Sequence, residues 1–164
     1  MIRKKAMLMC LLVSAGLAQS QLILVENLTT GTGHETIAEA IDNASSGDHL
    51  ELSANTFVEH VDIDIPLTLS GAEGGGTLID VSHQVGWGIA LSADNITLED
   101  VVILAGGTNT EYAVHSEPGI TGLTIEDVAV YDSNRSCIDL NGDGLVAAND
   151  ILQALSTFGV ACPE

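Results

Sequence analysis

Short runs in which apolar and polar residues alternate occupy most of the chain after residue 48. Gly, Asn, Asp and Ser clusters separate these runs, and a period of two between turn residues is typical of half-buried β-strands. The pattern therefore predicts an all-β fold of many short strands. The apolar positions of the predicted strands are Leu50, Leu52, Val61, Ile63, Ile65, Leu67, Leu69, Ile89, Leu91, Ile96, Leu98, Val101, Ile103, Leu123, Ile125, Val128 and Val130.

The segment before these strands has a different period. Residues 21–26 form a strand-like run, and residues 36–39 then have the capping-box sequence, with Thr36 three residues before Glu39. Apolar residues follow at helical spacing, which predicts a short amphipathic helix over 36–44. They are Ile37, Ala40, Ile41 and Ala44.

An internal repeat in the sequence indicates how the predicted strands are arranged. Residues 96–103 match residues 123–130 at an offset of 27, and residues 67–69 match 96–98 at an offset of 29. A strand-rich repeat of this length favours stacked coils, in which each coil covers the apolar residues of its neighbour. A β-sandwich is the regular alternative. In the stacked arrangement, the helix is expected to cover the open apolar end of the first coil.

Four segments together resemble the N-terminal part of right-handed parallel β-helix proteins of the pectin-lyase-like superfamily. These are residues 36–44, 47–52, 57–61 and 66–71, and the resemblance covers about residues 22–135. It implies a right-handed parallel β-helix with an N-terminal capping helix and about four coils. The superfamily includes lyases, hydrolases, epimerases, adhesins and non-catalytic surface proteins, so the resemblance specifies a fold more than an activity.

The first 20 residues have the pattern of a secretory signal peptide. Arg3, Lys4 and Lys5 precede an apolar run that is too short to span a bilayer, and small residues permit cleavage after Ala18 or Ser20. We therefore expect a secreted or cell-surface protein with no stable membrane insertion. The mature chain would keep one basic residue, Arg135, against 23 acidic ones, a formal net charge of −22. Such a surface disfavours nucleic acids and attracts cations.

Residues 139–150 have the spacing of a calcium-binding loop. Gly144 stands at loop position 6, where the chain must turn sharply, and the apolar Val146 stands at position 8. The alternative is an acidic, Gly-rich turn that matches by chance. Because positions 1, 3, 5, 7 and 12 all offer oxygen, the spacing predicts a Ca²⁺ site. The predicted ligands are Asp139, Asn141, Asp143, the Leu145 carbonyl and Asp150.

Apolar residues after the loop share one helical face, so the loop and helix together resemble one repeat of a type I dockerin. The residues of that face are Ile151, Leu152, Leu155 and Phe158. A dockerin has two such repeats, and this chain has one. Cys137 and Cys162 bracket the unit and predict a disulfide in a secreted protein, with free thiols as the alternative. The predicted organisation is a signal peptide (1–20), a short β-helix (21–136) and a dockerin-like calcium-binding unit (137–164).

Candidate catalytic residues are few. Lyases of the resembled superfamily rely on basic side chains, and the mature chain has only Arg135. The repeated carboxylate pairs, such as Glu99 with Asp100, are expected to be structural turns, and the scattered histidines are expected at the surface or in turns. We therefore predict a calcium-binding, non-catalytic module of polysaccharide or cell-surface assembly with no catalytic residues, whose tail docks on a protein partner or polysaccharide. The alternatives are a polysaccharide-degrading enzyme, or a fragment of one, and a structural adhesin.

Overall fold

A computed structural model describes residues 22–133 and 136–140 of the chain. This part of the chain is almost entirely β-structure, with one short helix, α1 (Ile37–Asp42). The strands are β1 (Val25–Asn27), β2 (Thr32–His34), β3 (Asp48–Leu52), β4 (Thr56–Phe57), β5 (Val61–Ile63), β6 (Leu67–Ser70), β7 (Leu78–Asp80), β8 (Gly86–Leu91), β9 (Thr97–Glu99), β10 (Val102–Leu104), β11 (Thr110–Ser116), β12 (Thr124–Glu126), β13 (Ala129–Tyr131) and β14 (Ser136–Asp139).

The strands form three sheets. The first sheet has the order β12-β9-β6-β3-β1-β2, the second β13-β10-β7-β4 and the third β14-β11-β8-β5. From β3 onward, successive strands belong to different sheets. Each strand from β6 onward pairs in parallel with the strand three places before it in the chain. The chain is therefore a parallel β-solenoid of about three turns. The predicted parallel β-helix is confirmed at this level, and the β-sandwich alternative is wrong.

The internal repeat coincides with the strand register. Thr97, Leu98 and Glu99 pair with Thr124, Ile125 and Glu126, and Thr68 pairs with Thr97. These pairings reproduce the offsets of 27 and 29 residues read from the sequence. The repeat is thus the spacing between stacked coils, as the solenoid interpretation requires.

The core consists of apolar rows that run along the solenoid. One row, on the inner side of the first sheet, contains Leu50, Leu69, Leu98 and Ile125, which are almost completely buried. Phe57, Ile79, Ile103 and Val130 form an equivalent row in the second sheet. Each residue packs on the coils before and after it, so removal of apolar surface from water stabilises the stack as a whole.

The turn between the first and second sheets uses a left-handed residue in two successive coils. Asp100 and Asp127 have φ angles of 56° and 50°, a conformation that Asp tolerates better than most non-Gly residues. In the coil before them, Gly71 occupies the equivalent place, and a Cβ atom there would lie 1.9 Å from the Asp100 carbonyl oxygen. The repeated Asp therefore forms a corner of the coil.

The N-terminal helix begins where the sequence predicts and ends earlier. Thr36 is the N-cap, and its Oγ1 accepts a hydrogen bond from the Glu39 N–H at 3.1 Å. The Glu39 carboxylate reaches back to the Glu35 N–H rather than to Thr36, so the capping box is displaced by one residue. Asn43 closes the helix because its backbone N–H bonds to Glu39 and Ile41.

The first coil holds the helix by its N-terminus. The carboxylate of Glu59, in the connection between β4 and β5, accepts hydrogen bonds from the Ile37 and Ala38 N–H groups at 3.1 and 3.0 Å. These donors have no partner inside the helix, and a negative charge is favourable at this end. Helix α1 buries Ile37 and Ala40 in the core and contacts β1, β2 and β5.

Several strands were not predicted. The first strand begins at Val25 rather than at residue 21, and the chain then adds β2, so an antiparallel pair extends the first sheet. Strands β7 and β11 were also not predicted from the sequence. The alternating run from 61 to 69 divides between β5 and β6, which lie in different sheets, because the chain turns a corner at 64–66.

Candidate functional site

The third sheet carries a cluster of aromatic, histidine and carboxylate side chains centred on His115. Along β11, Val114 is in the buried core, so its neighbour His115 belongs to the outer side of the sheet. Parallel pairing places Ala90 of β8 on one side of His115 and Asp139 of β14 on the other. Strand β11 is the longest of the described strands, and it positions this residue between two neighbours.

Two aromatic rings contact the His115 imidazole. The Trp87 ring stacks on it with the ring centroids 4.5 Å apart and the planes 17° from parallel. The Tyr112 ring lies at 5.9 Å and is tilted by 38°. The His115 residue is only 8% exposed, whereas Trp87 is 39% exposed. The stack therefore fixes the orientation of an indole ring that remains partly open to solvent. Trp87, Tyr112, His115 and Asp139 are called the His115 cluster below.

Asp139 approaches the imidazole from the neighbouring strand. Its Oδ2 lies 3.4 Å from His115 Nδ1, and the Asp139 residue is fully buried. The His115 Nδ1 atom makes no hydrogen bond, although it is buried. A carboxylate beside a histidine also occurs in proton-transfer sites, where the carboxylate orients the imidazole ring.

The outer side of the first sheet has a different character. One row consists of His49, Thr68, Thr97 and Thr124, and the parallel row consists of Glu26, Glu51, Ser70, Glu99 and Glu126. His49 Nε2 and Ser70 Oγ are 2.7 Å apart and link the two rows. Ser70 is buried, whereas the other side chains of the two rows are exposed or half-buried, so the face is acidic and hydrated.

A buried polar pair fastens the first sheet near its N-terminal end. The Asn27 amide donates to Asp48 Oδ2 at 2.8 Å, and the Ser45 N–H donates to the same oxygen at 2.9 Å. The Ser45 hydrogen bond, followed by that of Asn27, lowers the pKa of Asp48. The pair has a structural role, because it satisfies polar groups of a closed corner.

The predicted calcium ligands fall mostly outside the described residues. Asp139 is the last residue of β14, whereas Asn141, Asp143, Leu145 and Asp150 lie beyond residue 140. Within 22–133 and 136–140, no group of three or more His, Cys, Asp or Glu side chains is arranged to hold a metal ion. The predicted Ca²⁺ site thus stays a prediction.

The predicted disulfide has one cysteine inside the described residues. Cys137 is half-buried in β14 and packs against the core, and Cys162 lies outside. Their pairing stays a prediction. In the same described part of the chain, no helix has the length and apolarity needed to cross a bilayer.

The sequence interpretation missed the role of His115. It placed the histidines at the surface or in turns, whereas His115 is buried within a strand. A signal was present: residues 87–89 and 112–114 both consist of an aromatic, a small and an aliphatic residue in that order, at an offset of 25. Trp87 pairs with Tyr112 in the structure, so this weak repeat corresponds to the pairing of β8 with β11, and it contains no information on Asp139.

Comparison with known proteins does not name a family. No family model, no curated protein and no solved structure gives a significant match to the chain. The resemblances to the pectin-lyase-like superfamily and to a dockerin repeat stay predictions, and the parallel β-solenoid is the part of them that the structure supports.

Proposed function

We propose that this chain is a secreted, non-catalytic β-solenoid module of polysaccharide or cell-surface assembly, with a calcium-ordered C-terminal segment that serves as its docking element. The observation that carries the proposal is the position of Asp139. The first predicted ligand is also the last residue of β14, paired with His115 of β11 and fully buried. The predicted loop would therefore begin on a rigid strand of the solenoid.

The donor set fits Ca²⁺. Carboxylate, amide and carbonyl oxygens are the ligands that this hard cation prefers, and the spacing over 139–150 supplies all three kinds. Ligating carboxylates usually have a further polar neighbour that orients them, and His115 Nδ1 lies 3.4 Å from Asp139 Oδ2. Without a cation, the loop carboxylates would repel one another, so binding would order the segment.

In this proposal, helix α1 closes the opposite end of the solenoid. It buries Ile37 and Ala40 against the core, and Glu59 of the first coil holds its N-terminus. A covered N-terminal end would prevent coil-on-coil association there. The C-terminal segment would then be the free element for a partner, with the Cys137–Cys162 disulfide limiting its unfolded conformations.

Calcium titration of residues 21–164 by calorimetry tests the proposal. We expect one site with a dissociation constant on the order of 10⁻⁴–10⁻³ M. Asp143→Ala should abolish binding, whereas Asp62→Ala, which removes an exposed carboxylate of the solenoid, should leave it unchanged. Equal binding by wild type and Asp143→Ala would overturn the calcium site. Alkylation followed by mass measurement, with and without reductant, tests the disulfide.

One observation favours a second candidate function. The His115–Asp139 pair lies beside an exposed aromatic ring, and an oriented histidine is a common proton-transfer group. A glycan-cleaving enzyme would use such a pair, although glycoside hydrolysis ordinarily requires two carboxylates across the scissile bond. Assays for new reducing ends and for unsaturated uronates distinguish the candidates. Product release that disappears in His115→Ala would replace the non-catalytic proposal.

A further inference from the structure

We propose that the His115 cluster is a binding site for an uncharged pyranose polysaccharide, with Trp87 as the stacking platform. This inference deepens the proposed function, on which it rests, because it gives the polysaccharide contact a surface and a class of ligand. The predicted calcium loop and the His115 cluster share Asp139, which contacts His115. Trp87 is not a predicted calcium ligand and Asp143 is not in the cluster, so Trp87→Ala and Asp143→Ala test the two parts separately.

The first step is the state of the Trp87 ring. The Trp87 residue is 39% exposed while its ring stacks on His115, and Asp139 in turn contacts the imidazole. A ring held in this way loses little conformational freedom when a ligand arrives, which favours binding. The faces of an aromatic ring carry partial negative charge, so they attract the weakly positive C–H groups of a pyranose.

The second step is the local charge. In the central strands of the third sheet, β8 contains no acidic residue, and β11 contains one, the exposed Glu111. The outer side of the first sheet, by contrast, contains Glu26, Glu51, Glu99 and Glu126. A cationic ligand would be drawn to that acidic face. A uronate or sulfated chain would be repelled by a protein whose full sequence has a formal net charge of −19. An uncharged glycan is the class that fits an aromatic surface whose nearby carboxylates, Glu111 and Asp62, would repel an anionic chain.

The third step is the polar surroundings of the ring. Asp62, Ala90 and His115 are successive partners across β5, β8 and β11, so they form one row on the outer side. Neighbouring strands are about 4.8 Å apart, so Asp62 and His115 stand about 10 Å apart at the backbone. Ala90, with its small side chain, separates them. His60 Nε2 lies 3.3 Å from Asp62 Oδ1. Sugar hydroxyls that extend from the ring toward β5 would meet this polar pair.

The single tryptophan of the chain makes the test direct. Full-length mature protein, residues 21–164 in calcium, is titrated with soluble mixed-linkage β-glucan and xyloglucan, and with polygalacturonate and alginate as anionic probes. Because Trp87 is the only tryptophan, a change in emission reports on this ring alone. We expect an emission shift with an uncharged glycan and none with the anionic chains.

Variants locate the site independently of fluorescence. In calorimetry or affinity electrophoresis, Trp87→Ala should weaken binding by up to about tenfold, the loss expected for one stacking contact. Trp87→Phe keeps a flat ring and should bind with intermediate affinity, which controls for misfolding of the alanine variant. Tyr131→Ala removes another aromatic side chain, 50% exposed on β13 of the second sheet, and should bind as wild type does.

Several results would overturn the inference. They are equal binding by Trp87→Ala and wild type, binding of the anionic chains alone, displacement of the glycan by a basic peptide, and no emission change with any glycan. Protection of Trp87 from the neutral quencher acrylamide in the free protein would mean that the ring is covered, and would also overturn it. Calcium binding that survives any of these results leaves the docking proposal standing. Loss of calcium binding with retained glycan binding removes that proposal alone.

Discussion

The outer faces of the first and third sheets belong to the same coils but have opposite character. On the first sheet, Thr68, Thr97 and Thr124 repeat in register beside Glu99 and Glu126. On the third sheet, the residues that pair across neighbouring strands are chemically different, as in the row from Ala90 through His115 to Asp139. Repetition therefore marks positions that serve stacking and solubility, and a break in repetition marks positions where a single ligand would be recognised.

Solenoid physics explains this division. Each coil contacts only its neighbours, so equivalent positions in successive coils have similar packing environments. The same type of side chain therefore recurs at these positions. A binding site, in contrast, needs different groups at neighbouring positions, because a ligand presents different atoms to each. The His115 cluster meets that condition, since its members are an indole, a phenol, an imidazole and a carboxylate.

The largest effect is expected from an inner position of the first sheet. Leu98→Ala removes a fully buried side chain from the row between Leu69 and Ile125. It should lower the free energy of unfolding by about 2–5 kcal/mol, measured by urea denaturation. Thr97→Ala, next to it on the outer side, should cost less than about 1 kcal/mol. Similar losses of unfolding free energy in both variants would mean that the outer Thr row stabilises the stacked coils as much as the inner apolar row does.

A smaller effect is expected at the repeated corner. Asp100 adopts a φ of 56°, and Ala is disfavoured in this left-handed region. Asp100→Ala should therefore destabilise the fold by about 1–2 kcal/mol. Asp100→Asn, which tolerates the same conformation but removes the charge, should change stability by less than about 0.5 kcal/mol. If the Asn variant lost as much as the Ala variant, the carboxylate itself would be required, and the repeated Glu-Asp pairs would have a chemical role.

The free energy of unfolding is expected to depend on acid pH through Asp48, a buried carboxylate of the first sheet, and not through an exposed carboxylate such as Asp64. Because hydrogen bonds from Ser45 and Asn27 hold the pKa of Asp48 below its ordinary value, the ionised form stabilises the folded state. This contribution is present above the unfolded pKa of about 3.9 and is lost as the pH falls through the lower folded pKa. Asp48→Asn should flatten the decline of unfolding free energy in that window. Asp64→Asn, at an exposed position, should leave the decline as steep as in wild type.

The fold was predictable wherever stacking made the sequence repeat. The offsets of 27 and 29 residues gave the coil spacing, and alternation located the inner residues of β3, β5, β6, β9, β10, β12 and β13. The capping box located α1 within a few residues. These features are local or periodic, so a single sequence contains them.

The candidate site was not predictable in the same way. Strand β11 has three polar or charged residues among its last six, and its buried His115 breaks the alternation that identifies a strand. Asp139 and Trp87 are distant from His115 in sequence and meet it only through parallel pairing of β8, β11 and β14. Trp87 is the single tryptophan of the chain, and the strand register places a histidine where it can stack on that ring.

The smallest effect concerns the acidic row itself. Glu99 and Glu126 are direct partners across β9 and β12, and like charges in that arrangement repel. Glu126→Gln should therefore raise the free energy of unfolding by a few tenths of a kcal/mol at low salt, and the gain should vanish near 1 M salt, where the Debye length is about 3 Å. Glu73→Gln removes an exposed charge outside the row and controls for net charge. A loss of stability in Glu126→Gln would mean that a cation bridges the two carboxylates. The first sheet would then also carry a ligand, and repetition would no longer distinguish the two faces.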